Sequence, residues 1–355
     1  MTAPTRRRPA APRGPARTPR RTPAAAPLRA ADASDRTGGL GLVLSGGGAP
    51  AAYFGTGVIM AMEEVGLRPQ ILSGVSAGAI NAYALGAGLG GTGLAEMWQQ
   101  IRWDDIYRPR TDLWNAVNLR GLLRPTANLT EYALQTIGWT WLLDTGPARR
   151  TFARYLGAQQ PRPVGATVII SAVDENSGGV VRFCSQLPPE HRSDPAFRKV
   201  DLTVEHVVAS TAVPLLFPAG RDGGGHTLVD AGLVANTPLA PVMRYEPDRV
   251  IVVSGTGIDR PAATPRSLGD AIGLLADNVA HFALTADVAH AETVNALVRN
   301  APQATDKRQV PMLLIEPTDL GFAVDGFLRF SPSIARSIIE YGREQGAKAL
   351  AGWAS

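Results

Sequence analysis

Cysteine occurs once in the 355 residues, at Cys184, so no internal disulfide and no cysteine metal cluster can form. Cys184 ends the apolar run Val180-Val181-Arg182-Phe183-Cys184 and reads as a buried small side chain on a strand rather than a reactive thiol. Also missing is any uninterrupted apolar run near the roughly 20 residues a membrane-spanning helix needs. The N-terminus carries positive charge with no apolar stretch behind it, which is not the pattern of a secretory signal. These absences lead us to expect a cytoplasmic protein whose membrane contact, if any, is peripheral. Histidine is scarce as well, with five in the chain.

Hydrophobic residues make up 45% of the chain, enough for a sizeable core. The formal charge of +4 is unevenly spread. Residues 1–37 hold nine Arg and two Asp, a net +7, and the remainder carries −3. The basic pI therefore belongs to the tail and does not point to a nucleic-acid-binding fold. Residues 1–38, rich in Arg, Pro, Ala and Thr, cannot bury enough surface to offset chain entropy, and we read them as a disordered tail. Its role is either a solvated extension or attraction to anionic lipid headgroups, worth about 1 kcal/mol per basic residue near a bilayer.

Ordered sequence starts at Gly39. Leu40–Leu44 is a short apolar run ending in Ser45-Gly46-Gly47-Gly48. A helix is expected over Tyr53–Val65, stopped by Gly66. Pro69–Leu72 reads as a second strand leading to Gly74-Val75-Ser76-Ala77-Gly78, and Ala79–Leu85 as a buried helix. This alternation implies a parallel sheet. Residues 94–160 hold five of the six tryptophans and read as a helical insertion over one end of that sheet, serving either as a channel or lid or as ordinary packing. Strands are expected at Ala166–Ala172 and Val180–Cys184, joined as a hairpin, and at Thr227–Val229, Arg249–Ser254 and Val310–Ile315. Long helices are expected over Leu268–Val298 and Ile334–Leu350.

Gly74–Gly78 matches G-x-S-x-G, which sets a serine on a strained strand-to-helix turn with its hydroxyl presented at a helix N-terminus. Ser76 is thus the candidate nucleophile, with Gly74 and Gly78 permitting close approach of neighbouring chain. The Gly46-Gly47-Gly48 run has three readings: a phosphate cradle, an oxyanion hole of backbone N–H groups, or a plain turn. No Gly-Lys-Ser/Thr follows, and position 51, where a dinucleotide fingerprint needs glycine, is Ala51. The nearby nucleophile turn favours the oxyanion reading, through Gly47 and Gly48. None of His191, His206, His226, His281 and His290 sits on a loop after a late strand, where a triad histidine belongs. A carboxylate can take the serine proton instead. Asp230, at a strand end and followed by Ala231-Gly232, is the candidate base. Its rival Asp222, in Asp222-Gly223-Gly224-Gly225, reads as a hairpin turn residue.

Together these stretches resemble the patatin-like phospholipases. The resemblance is carried by the glycine loop, by Ser73–Asn81, by Ala209–Pro218 and by Asp230–Pro238, in order and spacing over about residues 40–240. It implies a three-layer α/β sandwich with a mostly parallel central sheet and a catalytic domain over 39–355. It also implies a Ser76–Asp230 dyad acting on lipid acyl esters through an acyl-enzyme, with no metal or cofactor. Gly46 and Gly232 support the motifs; no protein partner is indicated. The loop departs from the family at Pro50 and Ala51, where a basic residue and a glycine are usual, and Ala231 replaces a glycine. A proline lacks an N–H, so we expect a poorly formed oxyanion hole unless substrate or a membrane reshapes the loop. Two alternatives stay open: a Ser-His-Asp esterase using His281 or His290, and a catalytically weak lipid-binding or scaffold protein of the same fold.

Overall fold

Parallel strands covered on both faces need near-continuous apolar sequence, and LGLVL and RVIVV supply it at the centre of the sheet. The structure is a computed structural model that describes residues 38–112, 116–124, 128–157, 165–222, 224–257, 264–266, 268–318 and 327–353. The basic tail expected over 1–38 lies outside these apart from Gly38, as does Trp114.

The first half runs β1 (Leu40–Leu44), α1 (Gly48–Glu64), β2 (Ile71–Val75), α2 (Ala77–Gly86) and α3 (Gly91–Gln100). Then come β3 (Arg108–Pro109), α4 (Leu119–Leu122), α5 (Leu129–Thr136), β4 (Leu143–Asp144) and α6 (Gly146–Leu156). The second half runs β5 (Thr167–Asp174), β6 (Val180–Cys184), β7 (Phe197–Lys199), α7 (Val204–Ser210), β8 (Gly220–Arg221) and β9 (Thr227–Asp230). It ends with α8 (Leu239–Met243), β10 (Arg249–Val253), α9 (Leu268–Asn300), β11 (Met312–Ile315) and α10 (Pro332–Leu350).

The main sheet has the order β11-β10-β1-β2-β5-β6-β7, parallel from β11 to β5, with β6 antiparallel to β5. Alternate residues divide the two faces. Leu42, Leu44, Leu72 and Ile170 pack under α1, α2, α3 and α10, whereas Val43, Ile71, Ile169 and Val252 pack under α8 and α9. This is a three-layer α/β sandwich. Cys184 is fully buried on the α8–α9 side, where burial pushes its thiol pKa up. No helix among the described residues is long and apolar enough to cross a membrane.

Two expectations need adjusting. Helix α1 starts at Gly48 rather than Tyr53, because a Gly-Ala-Pro-Ala first turn shows no apolar periodicity yet is sterically a good helix start. The stretch 94–160 divides in two. Trp98 and Phe152 are buried in the main core beside α1 and α2, while α4 and α5 bury only Gly121.

Candidate active site

The glycine loop and the Ser76 turn lie at the carboxyl ends of neighbouring parallel strands, in register at Leu44↔Gly74. That is where open α/β sheets bind ligands. Strand β9 adds the third component. It pairs antiparallel with β5 at Ala172↔Asp230, while β2 pairs with the same edge up to Val75↔Ser171. The two strands run head-on along one edge of β5 and stop one residue apart, so Ser76 and Asp230 meet.

Ser76 has φ 52° and ψ −125°, a left-handed conformation that non-glycine residues adopt only under constraint. The constraint is visible. The Ser76 N–H donates to Ser210 Oγ at 3.0 Å, and Ser210 Oγ donates to Ser171 O at 2.7 Å. Two residues on, Ala212 O accepts the Asp230 N–H at 2.9 Å. One short stretch after α7 therefore holds both backbones. Close packing explains the flanking glycines. A side chain at Gly74 would strike Gly78 O, and one at Gly78 would strike the carbonyls of Leu44 and Ser45. A Cβ on Gly46 would lie 2.5 Å from Asn236 Oδ1 and 3.1 Å from Ser76 Cβ.

Asp230 is buried and lines the same cavity as Ser76, and its Oδ1 accepts from the Gly232 N–H at 2.7 Å. Burial raises its pKa to about 6, against the opposing pull of the nearby Ser76 hydroxyl and the Gly232 N–H. Asp222 lies elsewhere. Its Oδ1 accepts from the N–H groups of Gly224 and His226 at 3.0 and 2.9 Å, in the β8–β9 turn. None of the five histidines lines either cavity at Ser76. His191 contacts Glu246, His226 contacts Asp174, and His206 caps α7 through Thr203. His281 and His290 lie on α9, the second beside Asp287 in a separate cavity.

Gly47 and Gly48 have φ 135° and 65° and occupy the N-cap and first position of α1. Ser45, Gly46 and Ala49 donate to Val253 O, Asn236 O and Phe327 O. The Gly47 and Gly48 N–H groups have no acceptor among the described residues, as befits a helix start. Pro50 occupies the third position, inside the turn whose N–H groups have no intrahelical partner, so it removes no hydrogen bond the helix uses. Ala51 fits because Gly255 faces it, with no room for a second methyl. Pro50 and Ala51 thus cost the helix no hydrogen bond and make no clash at its start.

Ser76 lies between two cavities. One is lined by Gly47, Asp230, Gly232, Asn236 and Phe327. Asn236 is 2% exposed and its Nδ2 has no hydrogen-bond partner among the described residues. The other is apolar and partly open to solvent, with Ile80, Trp98, Phe152, Phe217 and Phe330 in its wall. Among the described residues no group of three or more His, Cys, Asp or Glu could hold a metal ion. Sequence reasoning missed Ser210, Asn236 and Phe327. The first two fall in the stretches Ala209–Pro218 and Asp230–Pro238 that carry the family resemblance; Phe327 has no comparable signal.

Structural similarities are found to VipD from Legionella pneumophila (14% identity, TM-score 0.35, covering 88% of this chain and 66% of that one). They are also found to the type III effector protein ExoU (13% identity, TM-score 0.34, covering 90% of this chain and 53% of that one). The chain thus spans about two thirds and one half of those two proteins. No curated protein matches the sequence. The family model for Patatin-like phospholipase matches residues 42–243, a span that contains the glycine loop, Ser76, Ser210 and Asp230, and the chain belongs to that family.

Proposed function

We propose that the protein hydrolyses acyl esters of lipids, with Ser76 as nucleophile and Asp230 as general base. The observation that carries this reading is the buried Asp230 carboxylate in the same cavity as Ser76, with Ser76 also lining a second, apolar cavity. A carboxylate with a pKa of about 6 is ionised at neutral pH yet basic enough to accept the serine proton. Ser76 Oγ attacks the ester carbonyl as its proton passes to Asp230. The oxyanion takes the N–H groups of Gly47 and Gly48, at the positive end of the α1 dipole. Asn236 Nδ2 is a further donor at this cavity. Asp230 then gives its proton to the departing alcohol, leaving an acyl-enzyme. Water loses a proton to Asp230, attacks the acyl carbon, and releases the fatty acid as Ser76 regains its proton. The apolar cavity walled by Trp98 and Phe152 receives the acyl chain.

The test is fatty-acid release from a panel of phospholipids, lysophospholipids and glycerides by wild type and Ser76→Ala, with fluorophosphonate labelling in parallel. Release and labelling are expected from wild type alone. Labelling that survives Ser76→Ala overturns the nucleophile, and absence of both in folded wild type favours a lipid-binding protein that has lost catalysis.

A further inference from the structure

Leucines at helical spacing are ordinarily core residues, but those of α4 and α5 are not. Of the 17 large apolar side chains exposed among the described residues, eight lie within residues 117–142. Leu119, Leu123, Leu129 and Leu134 are each more than two thirds exposed. The cause is local. The two helices meet backbone to backbone at Gly121, where a side chain would strike Gln135 O. The bridge Val117↔Ile137 and the bonds from Asn118 N and Nδ2 to Thr136 O and Gln135 O close the hairpin beside that contact. Pairing through backbone leaves the leucine side chains outside. An apolar surface of this density on a folded chain marks an interaction site.

Its surroundings indicate what it meets. Arg120 and Arg124 stand among the leucines and form no ion pair among the described residues, and the stretch holds a single acid, Glu131. Half-buried Trp139 and Trp141 flank the Arg110 guanidinium, 5.3 and 3.9 Å from their ring centres, while Asp112 pairs its charge. Exposed leucine edged by tryptophan and arginine is the composition of surfaces that sit at a bilayer interface. The surface also adjoins the catalytic cavity. The N–H groups of Leu142 and Leu143 donate to Leu216 O, Trp141 bridges Leu215, and Val213 and Phe217 wall the apolar cavity at Ser76. Leu215 itself is exposed.

We propose that the exposed face of α4 and α5 is a docking surface that seats the Ser76 cavity on an anionic lipid bilayer, a reading that rests on lipid being the substrate. It is distinct from the basic tail, whose attraction is electrostatic and fades at high salt. The experiment uses the full chain carrying Ser76→Ala and phosphatidylcholine–phosphatidylglycerol vesicles, with co-flotation measured at high salt. The parent is expected to float, and Leu123→Glu, Leu129→Glu and Leu134→Glu together should lower partition about tenfold or more, since each leucine gives up an apolar burial. Melting temperature should hold, because all three side chains are exposed. Should the charged set fail to fold, Leu→Gln at the same positions gives the same loss. Equal flotation of variant and parent overturns the proposal. So does a parent that does not float at high salt, or one that sediments as a dimer which the variant splits. Because binding is read without turnover, failure here leaves the hydrolase reading to its own assay on a water-soluble ester.

Discussion

The hydroxyl of Ser210 accepts the backbone N–H of Ser76 at 3.0 Å, fixing the nucleophile turn from a helix end 134 residues away. Ser210→Ala leaves that buried N–H unpaired, which costs about 1–3 kcal/mol. Melting temperature should fall, and kcat on a water-soluble ester should drop about tenfold as the turn relaxes, with KM little changed. Unaltered kcat would mean that the turn holds its strained geometry without this contact.

Asp230→Asn should abolish hydrolysis and stabilise the protein. A carboxyl whose pKa is raised on folding gives its full stabilisation below the unfolded value of 3.8 and loses it as pH climbs through about 6. At pH 8 wild type carries a penalty of roughly 3 kcal/mol that asparagine lacks. The variant should therefore melt several degrees higher at pH 8 and no higher at pH 3.5. In wild type, kcat/KM should rise with unit slope through about pH 6. Asp222→Asn, which keeps the acceptor for Gly224 and His226, should stay within about threefold of wild-type rate. A rate collapse at Asp222 instead would transfer the base to that residue.

Pro50→Arg with Ala51→Gly should change turnover by less than about threefold, since Pro50 sits where the helix needs no N–H. The sensitive position is Gly255. Gly255→Ala drives a methyl into Ala51 and should cost activity heavily, and adding Ala51→Gly should restore part of it. Active-site titration at equal folded concentration reads both. A marked gain from the Pro50 pair would show the native loop to be deficient after all.

Asn236→Ala removes a buried donor that has no partner among the described residues. If that donor serves the reacting oxygen, kcat should fall about a hundredfold with folding stability unchanged or improved. Steady-state kinetics beside a melting curve separates this from a packing role, which would lower stability first.

The fold and the place of the candidate site were largely legible before the structure. Gly46–Gly48, Ser76 and Asp230 each sit at the end of an apolar run, a placement that sequence shows directly. What stayed hidden depends on long-range packing. Ser210 is one small residue at the close of an apolar helix, and nothing in its neighbours announces a contact with the Ser76 turn. The early start of α1 was masked because Gly48, Ala49, Pro50 and Ala51 carry too little side chain to show a period. Leu123 and Leu129 look like core residues in sequence, and only the backbone contact at Gly121 explains why they are not.

With Asp230 as the base proposed for Ser76, the head-on approach of β2 and β9 along β5 would make activity a gauge of strand register. A slip of one residue in β9 would turn the Asp230 side chain to the opposite face of the sheet, and a slip of two would carry it about 7 Å along the strand. Either chain could still be compact and well packed elsewhere, yet it would hold no Asp230 carboxylate near Ser76. The fraction of molecules that react with a stoichiometric serine reagent therefore counts correctly threaded β9 strands, a quantity that melting curves and hydrodynamic size do not report.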